Sequence, residues 1–177
     1  MRGVTDRAKI ETFMTALAER VRGPGRIYFT GGGTAVLFGW RSTTIDLDLK
    51  AEPEPKGFFE AIAELKETVD LNLEMASPDD FIPALPDWRE RSIFIARRRE
   101  IDYYHYDPYA QALAKIERGH DRDLADVRAM FRLALVERER LLELFDAIEP
   151  ELIRYPAVEA KALRADLTAF LDEIRDQ

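Results

Sequence analysis

The sequence predicts an α+β fold: a mixed sheet flanked by helices over residues 1–107, then a C-terminal helical bundle over residues 108–177. Three observations lead to it. Strand-length apolar runs alternate with helix-length amphipathic segments in the first part. Two of those runs, TIDLDLK and VDLNLEM, alternate apolar and polar residues with the two-residue period of a strand. From Pro108 onward the pattern is helical throughout.

Each element has its own signal. Residues 5–22 place Ile10, Phe13, Met14, Leu17 and Val21 at helical spacing, and the Gly-Pro-Gly at 23–25 stops that helix. RIYFT (26–30) reads as a strand, the glycines at 31–33 as the turn after it, and TAVLFGW (34–40) as a short apolar helix ending near Gly39. TIDLDLK (44–50) is a second strand, EPEP (52–55) a loop, KGFFEAIAELKET (56–68) a helix and VDLNLEM (69–75) a third strand. Residues 77–90 are proline-rich and irregular, and 92–107 form a hairpin or one long bent strand. Three helices follow, the first two separated by Gly119 as a C-cap, and an amphipathic segment from Ala157 makes the last.

Composition narrows the function. The chain has 177 residues, suited to one domain or to a domain with a helical appendage. It contains no cysteine and two histidines, which removes disulfides, thiolate metal sites and multi-histidine zinc sites. The expectation is a cytoplasmic protein, with no signal peptide and no membrane span. A net charge of −8 argues against stable DNA binding. Arginines nevertheless cluster at 89–99 and 118–132. His105 and His120 read as ordinary residues and Trp40 and Trp88 as packing residues; the aromatics of YYHY (103–106) suit a strand near the core or a stacking surface.

The chemistry concentrates in YFTGGGTAVLFGWRSTTIDLDLK, residues 28–50. On a strand, Ile45, Leu47 and Leu49 share one face, and Thr44, Asp46, Asp48 and Lys50 share the other. The two aspartates then have α-carbons roughly 6.5–7 Å apart on one face. Two carboxylates this close repel unless one is protonated or a cation bridges them. Magnesium suits that role, because it takes one or two carboxylates together with substrate phosphates. The GGGT segment follows a strand and opens a helix, a place where backbone N–H groups can face an anion.

That combination resembles the minimal nucleotidyltransferases of the polymerase-β-like superfamily, in particular the AbiEii-type and DUF6036-type branch with its Gly-Gly motif. The resemblance implies Mg2+- or Mn2+-dependent transfer of a nucleoside monophosphate from an NTP, with pyrophosphate released. It implies that Gly31, Gly32 and Thr34 cradle the triphosphate and that Asp46 and Asp48 bind the metals. KIERGHDRDLADV (115–127) resembles the branch's helical motif. By that likeness Lys115 sits near the phosphates with Arg118 beside it, and Asp123 and Asp126 form the second element. Arg41, Thr44, Lys115, Arg118 and Asp123 thereby join the nucleotide-binding set.

Two departures from the pattern stand out. Ser42 occupies the position, four before Asp46, where the branch carries an arginine, and Arg41 lies one earlier. A third carboxylate, which would also take the acceptor's proton, is expected on the next strand; Glu74 is the choice and Asp102 the alternative. The resemblance further implies an RNA (tRNA) or protein acceptor and the role of a toxin in a toxin–antitoxin or phage-defence pair, with an antitoxin partner. The competing reading is a nucleotide- or partner-binding module with the same fold and no catalysis.

Overall fold

In the computed structural model, which describes residues 3–175, the chain is α+β with a mixed five-stranded sheet. Two compact units form: one from the residues up to Ser77 together with Ser92–Tyr106, the other from Pro78–Arg91 together with the chain from Asp107 onward. The sequence reading placed 77–90 in the first part. Residues 78–91 go with the helices instead, where Arg91 Nη2 pairs with Asp107 Oδ2 at 2.7 Å and Tyr155 Oη donates to the Asp79 carbonyl at 3.3 Å.

The first unit starts with β1 (Thr5–Asp6) and α1 (Arg7–Arg20). Asp6 caps α1 by accepting from the Lys9 N–H at 2.9 Å. Then come β2 (Gly25–Thr30), α2 (Gly31–Phe38), β3 (Thr43–Thr44), β4 (Asp46–Ala51), α3 (Phe58–Thr68) and β5 (Asn72–Met75). Outside the interposed stretch that contains α4 (Trp88–Arg91), the unit ends with the hairpin β6 (Ile93–Arg98) and β7 (Ile101–His105). The sheet order is β5-β4-β2-β7-β6, and β1 pairs separately with β3. β2 runs antiparallel to β4 and parallel to β7, while β4 and β5 are parallel.

The alternation of the strands decides the two faces. Ile27, Phe29, Leu47, Leu49, Leu73, Ile101 and Tyr103 are buried with Ile10, Phe13, Met14 and Leu17 of α1 and Phe58, Ile62 and Leu65 of α3. Each such aliphatic or aromatic side chain contributes about 1.5–3 kcal/mol by leaving water. Tyr103 also donates to the Met14 carbonyl at 2.6 Å, which ties α1 to β7. The opposite face carries Asn72 and Glu74, Asp46, Asp48 and Lys50, Arg26, Tyr28 and Thr30, then Asp102 and Tyr104.

Three local expectations are corrected. Ile45 does not join the apolar face: the chain bends there, leaves Ile45 57% exposed and starts the strand afresh at Asp46, because Thr43–Thr44 pair with Thr5–Asp6 instead. The third strand starts at Asn72 rather than Val69, since Asp70 takes a positive φ of 56° in a turn. The glycines at 31–33 are not a turn before α2 but its first turn.

The second unit holds α5 (Pro108–Arg118), α6 (Asp121–Arg132), α7 (Arg138–Ile148) and α8 (Ala160–Arg175). Asp107 caps α5 through the Tyr109 N–H at 2.9 Å, with Pro108 at the first helical position. Gly119 ends α5 at φ 70°, the left-handed conformation its position calls for. A short 3-10 segment, Glu149–Arg154, separates α7 from the residues before α8 and has no counterpart in the sequence reading. No helix among the described residues is long and apolar enough to cross a membrane.

Candidate active site on the sheet

Asp46 and Asp48 stand on the same face of β4, both half-buried, with Leu47 fully buried between them. Register neighbours define their surroundings. Asn72 lies beside Asp46 and Glu74 beside Asp48 on β5; Thr30, the last residue of β2, lies beside Asp48 on the other side. Asn72 Nδ2 donates to Asp46 Oδ1. This amide holds one carboxylate oxygen in place and leaves the other for a further partner. Alternation puts Asn72 on this face, but no motif singles it out; only the parallel register with β4 does.

The run of three glycines has a separate physical reason at each position. Gly31 has φ 58°, in the left-handed region, and a β-carbon there would lie 3.1 Å from Asp48 Oδ2. A β-carbon on Gly32 would overlap Thr44 Oγ1, and one on Gly33 would come within 2.7 Å of Leu47 Cδ1. The glycines thus bring the backbone of α2 against β3 and β4, and its N-terminus against the second aspartate. A helix N-terminus carries partial positive charge, which suits both a carboxylate and a phosphate.

Thr34 is turned inward. It is buried, and its hydroxyl donates to the Phe29 carbonyl at 3.3 Å and meets His105 Nδ1 at 3.2 Å. Thr44 is also buried, its hydroxyl donating to the Asp46 carbonyl at 3.0 Å. Arg41 is half-buried in the segment after α2, where its N–H donates to the Ala35 carbonyl at 3.3 Å.

Between the two candidates for a third acid, register separates them. Glu74 is adjacent to Asp48 and exposed. Asp102 lies on β7, beyond β2, aligned with Arg26 and with Arg97, whose Nε is 3.5 Å from its carboxylate. Among the described residues no three His, Cys, Asp or Glu side chains come together as a metal site, so Glu74 does not close a three-carboxylate cluster with the aspartates. The two aspartates still fit Mg2+ or Mn2+. Their donors are oxygens, and such ions commonly take the rest of their shell from phosphates and water.

Lys115, Arg118 and Asp123 form a group within the second unit. Lys115 Nζ lies 3.2 Å from Asp123 Oδ1 and 2.7 Å from Asp126 Oδ2. Arg118 grips Asp123 through Nε at 2.9 Å and Nη2 at 2.7 Å. Burial alone would raise the Asp123 carboxyl, but Arg118 and Lys115 outweigh it and hold it below its ordinary range. Two cations and two carboxylates make the group neutral and join α5 to α6. Lys115 and Arg118 lie three residues apart on α5, and Asp123 and Asp126 three apart on α6, so each pair shares a helix face, which permits this.

His105, which reads as ordinary in sequence, is buried on β7 against both Thr34 and Phe38 of α2, with ring centroids 4.3 Å apart in the second contact. Burial, and secondarily the charge of Arg7, lowers its pKa to about 4, so it is neutral at neutral pH. No motif in the sequence links a strand-end histidine to a helix some 70 residues earlier. His120 is exposed at the N-cap of α6 without a side-chain capping bond.

Comparison with known proteins adds a family. No curated protein and no solved structure matches the chain. The family model described as "nucleotidyltransferase of unknown function (DUF6036)" matches residues 13–175, which takes in the glycine helix, the aspartate strand and the Lys115 group. With nearly the whole chain matched, the protein belongs to the DUF6036 family of nucleotidyltransferases.

Proposed function

We propose that the protein transfers a nucleoside monophosphate from an NTP to an acceptor hydroxyl, with Mg2+ or Mn2+ and with release of pyrophosphate. The observation that carries this reading is the meeting of the aspartate pair with the N-terminus of α2, where Gly31 abuts Asp48 Oδ2. A divalent cation bound there would offset triphosphate charge and polarise the reacting phosphoryl group. Asp46 and Asp48 offer the oxygens that hold it, and Asn72 orients Asp46. The first N–H groups of α2, at Gly31 and Gly32, face the phosphates. Glu74 takes the proton of the acceptor hydroxyl as that oxygen bonds to the α-phosphorus. The bond from the α-phosphorus to the bridging oxygen breaks, and pyrophosphate leaves with the electron pair.

Thr34 and Thr44 support this site by packing rather than by offering hydroxyls to phosphate, since both hydroxyls are engaged by backbone carbonyls. The nucleotide contacts that the resemblance implies for Lys115, Arg118 and Asp123 would draw on a group already neutral within itself, so the essential chemistry is placed on the sheet. RNA, such as tRNA, or a protein is the acceptor by resemblance, and the toxin role with an antitoxin partner in the cytoplasm has the same support.

A second reading, nucleotide binding without catalysis, is favoured by the lack of a three-carboxylate cluster among the described residues. One experiment separates the two. The protein is incubated with each α-labelled NTP, Mg2+ or Mn2+, and bulk tRNA or cell extract. Label in RNA or protein that disappears with Asp48→Asn supports transfer; nucleotide bound without any transferred label supports the binding module.

A further inference from the structure

The start of α2 has a stability problem that the sequence makes plain. Three consecutive glycines have the greatest conformational freedom of any residues, and they form the first turn of a helix only eight residues long. Thr30 at the N-cap makes no side-chain capping bond. Thr34 is therefore the first position in α2 where a side chain can anchor that turn. Its hydroxyl reaches back to the Phe29 carbonyl, so one hydrogen bond spans Thr30 and all three glycines. The same carbonyl accepts from the Tyr106 N–H at 2.8 Å, which fixes it to the residue that follows β7.

A hydroxyl has one proton to donate. With that proton on the Phe29 carbonyl, Thr34 Oγ1 can only accept from His105, so Nδ1 carries the hydrogen of a neutral imidazole. His105 stands opposite Phe29 in the parallel register of β2 and β7. Its ring stacks on Phe38, the last residue of α2, at an interplanar angle of 29°. Phe38 stacks in turn on Trp40. One histidine therefore touches α2 at two points one helical turn apart, Thr34 by hydrogen bond and Phe38 by stacking.

We propose that His105 is a positioning residue for the nucleotide site: through Thr34 it clasps the glycine turn of α2 at a set distance from Asp48, and so pre-organises the backbone N–H groups that face the triphosphate. The nucleotide part of this rests on the function proposed above; the clasp itself does not. His105 touches neither substrate nor metal in this scheme.

The test uses the full chain and four variants. His105→Phe keeps the stacking ring and removes the donor. Thr34→Val keeps the volume and removes the hydroxyl, Thr34→Ser restores the hydroxyl, and the fourth variant combines His105→Phe with Thr34→Val. Amide hydrogen exchange is read at Ala35–Leu37, whose N–H groups close the helical bonds onto the glycine turn, with Ala61–Leu65 of α3 as the reference. Affinity for each Mg·NTP is read by calorimetry.

Loss of the His105–Thr34 bond in His105→Phe is expected to speed exchange at Ala35–Leu37 about tenfold while α3 is unchanged, and Thr34→Val, which also loses the bond to the Phe29 carbonyl, should speed it at least as much. The double variant should match Thr34→Val alone, because without the Thr34 hydroxyl His105 has no hydrogen-bond partner on the turn. Thr34→Ser should behave as wild type. Mg·NTP affinity should fall by about the same factor as exchange rises. Exchange of Ala35–Leu37 at the wild-type rate in both single variants overturns the clasp, as does an equal rise in α3. A loosened turn with unchanged Mg·NTP affinity overturns its role toward nucleotide. A wild-type protein that binds no NTP overturns the function proposed above, while the exchange arm still decides the clasp.

Discussion

Carboxylates are treated in opposite ways in the two units. On the sheet of the first, Asp46 and Asp48 share a strand face, and their register neighbours are an amide, a hydroxyl and another carboxylate. Among the helices of the second, Asp107, Asp123 and Asp126 are buried, and each lies against a lysine or arginine at 2.7 Å to 3.2 Å. Burying a carboxylate is costly unless a cation and hydrogen bonds accompany it. The helical acids carry their compensation within the fold and so are explained by it. The sheet acids are brought together by the alternation of β4, and the function proposed above uses them as the place where a divalent cation would add its charge. Acidic pairs alone do not mark a site; their neighbours separate a structural acid from a candidate ligand.

The sharpest way to break this comparison is to neutralise one acid from each group. Asp46→Asn or Asp48→Asn should lower nucleotidyl transfer on the order of 10²–10³-fold or more. The melting temperature should stay within about 3 °C of wild type, because removing one of two neighbouring like charges relieves repulsion. Labelled-NTP transfer measured beside a thermal melt checks both halves. Retained transfer together with a large loss of stability would make the pair structural.

Lys115→Met should do the reverse. It leaves Asp123 and Asp126 buried with less compensation and should cost about 3–5 kcal/mol in urea unfolding. Nucleotide affinity at a temperature where the variant is folded should not change. A strong loss of affinity with unchanged stability would instead make Lys115 a phosphate ligand, as the resemblance implies.

His105 gives a pH test within the first unit. Its folded pKa of about 4 lies below the ordinary 6.5, so the unfolded chain binds the extra proton between those values. The contribution is complete above about pH 6.5 and is lost as pH falls toward 4, up to about 3 kcal/mol. Stability measured from pH 7 to pH 4 should therefore fall less steeply in His105→Phe than in wild type. Parallel curves would show that the imidazole is not held neutral.

The smallest expected effect is at Gly32. Gly32→Ala pushes a β-carbon into Thr44 and should cost about 1–3 kcal/mol, with part of that removed when Thr44→Ala is added. If Gly32→Ala is as stable as wild type, the glycine is not explained by packing, and close approach of phosphate becomes the remaining reason for it.

The strands were legible where burial follows a two-residue period, as in Leu47, Asp48 and Leu49. They were misread where pairing intervened: Ile45 belongs to the apolar alternation in sequence, yet the Thr43–Thr44 pairing with β1 bends the chain and exposes it. The glycine run was legible as a signal but not in its reason. A turn and the close-packed first turn of a helix look alike until Thr44 and Leu47 are placed against it.

By itself the sequence determined the α+β class, the order of the main helices and strands, and the placing of Asp46 and Asp48 on one face, because those follow from local period and from the alternation of a strand. Tertiary structure alone decided that Glu74 rather than Asp102 adjoins Asp48, that Asn72 bonds Asp46, and that His105 reaches Thr34. It also decided that Lys115 lies between two carboxylates. Strand order, register and helix packing bring distant residues together, and no local pattern of side chains encodes which strand will be the neighbour.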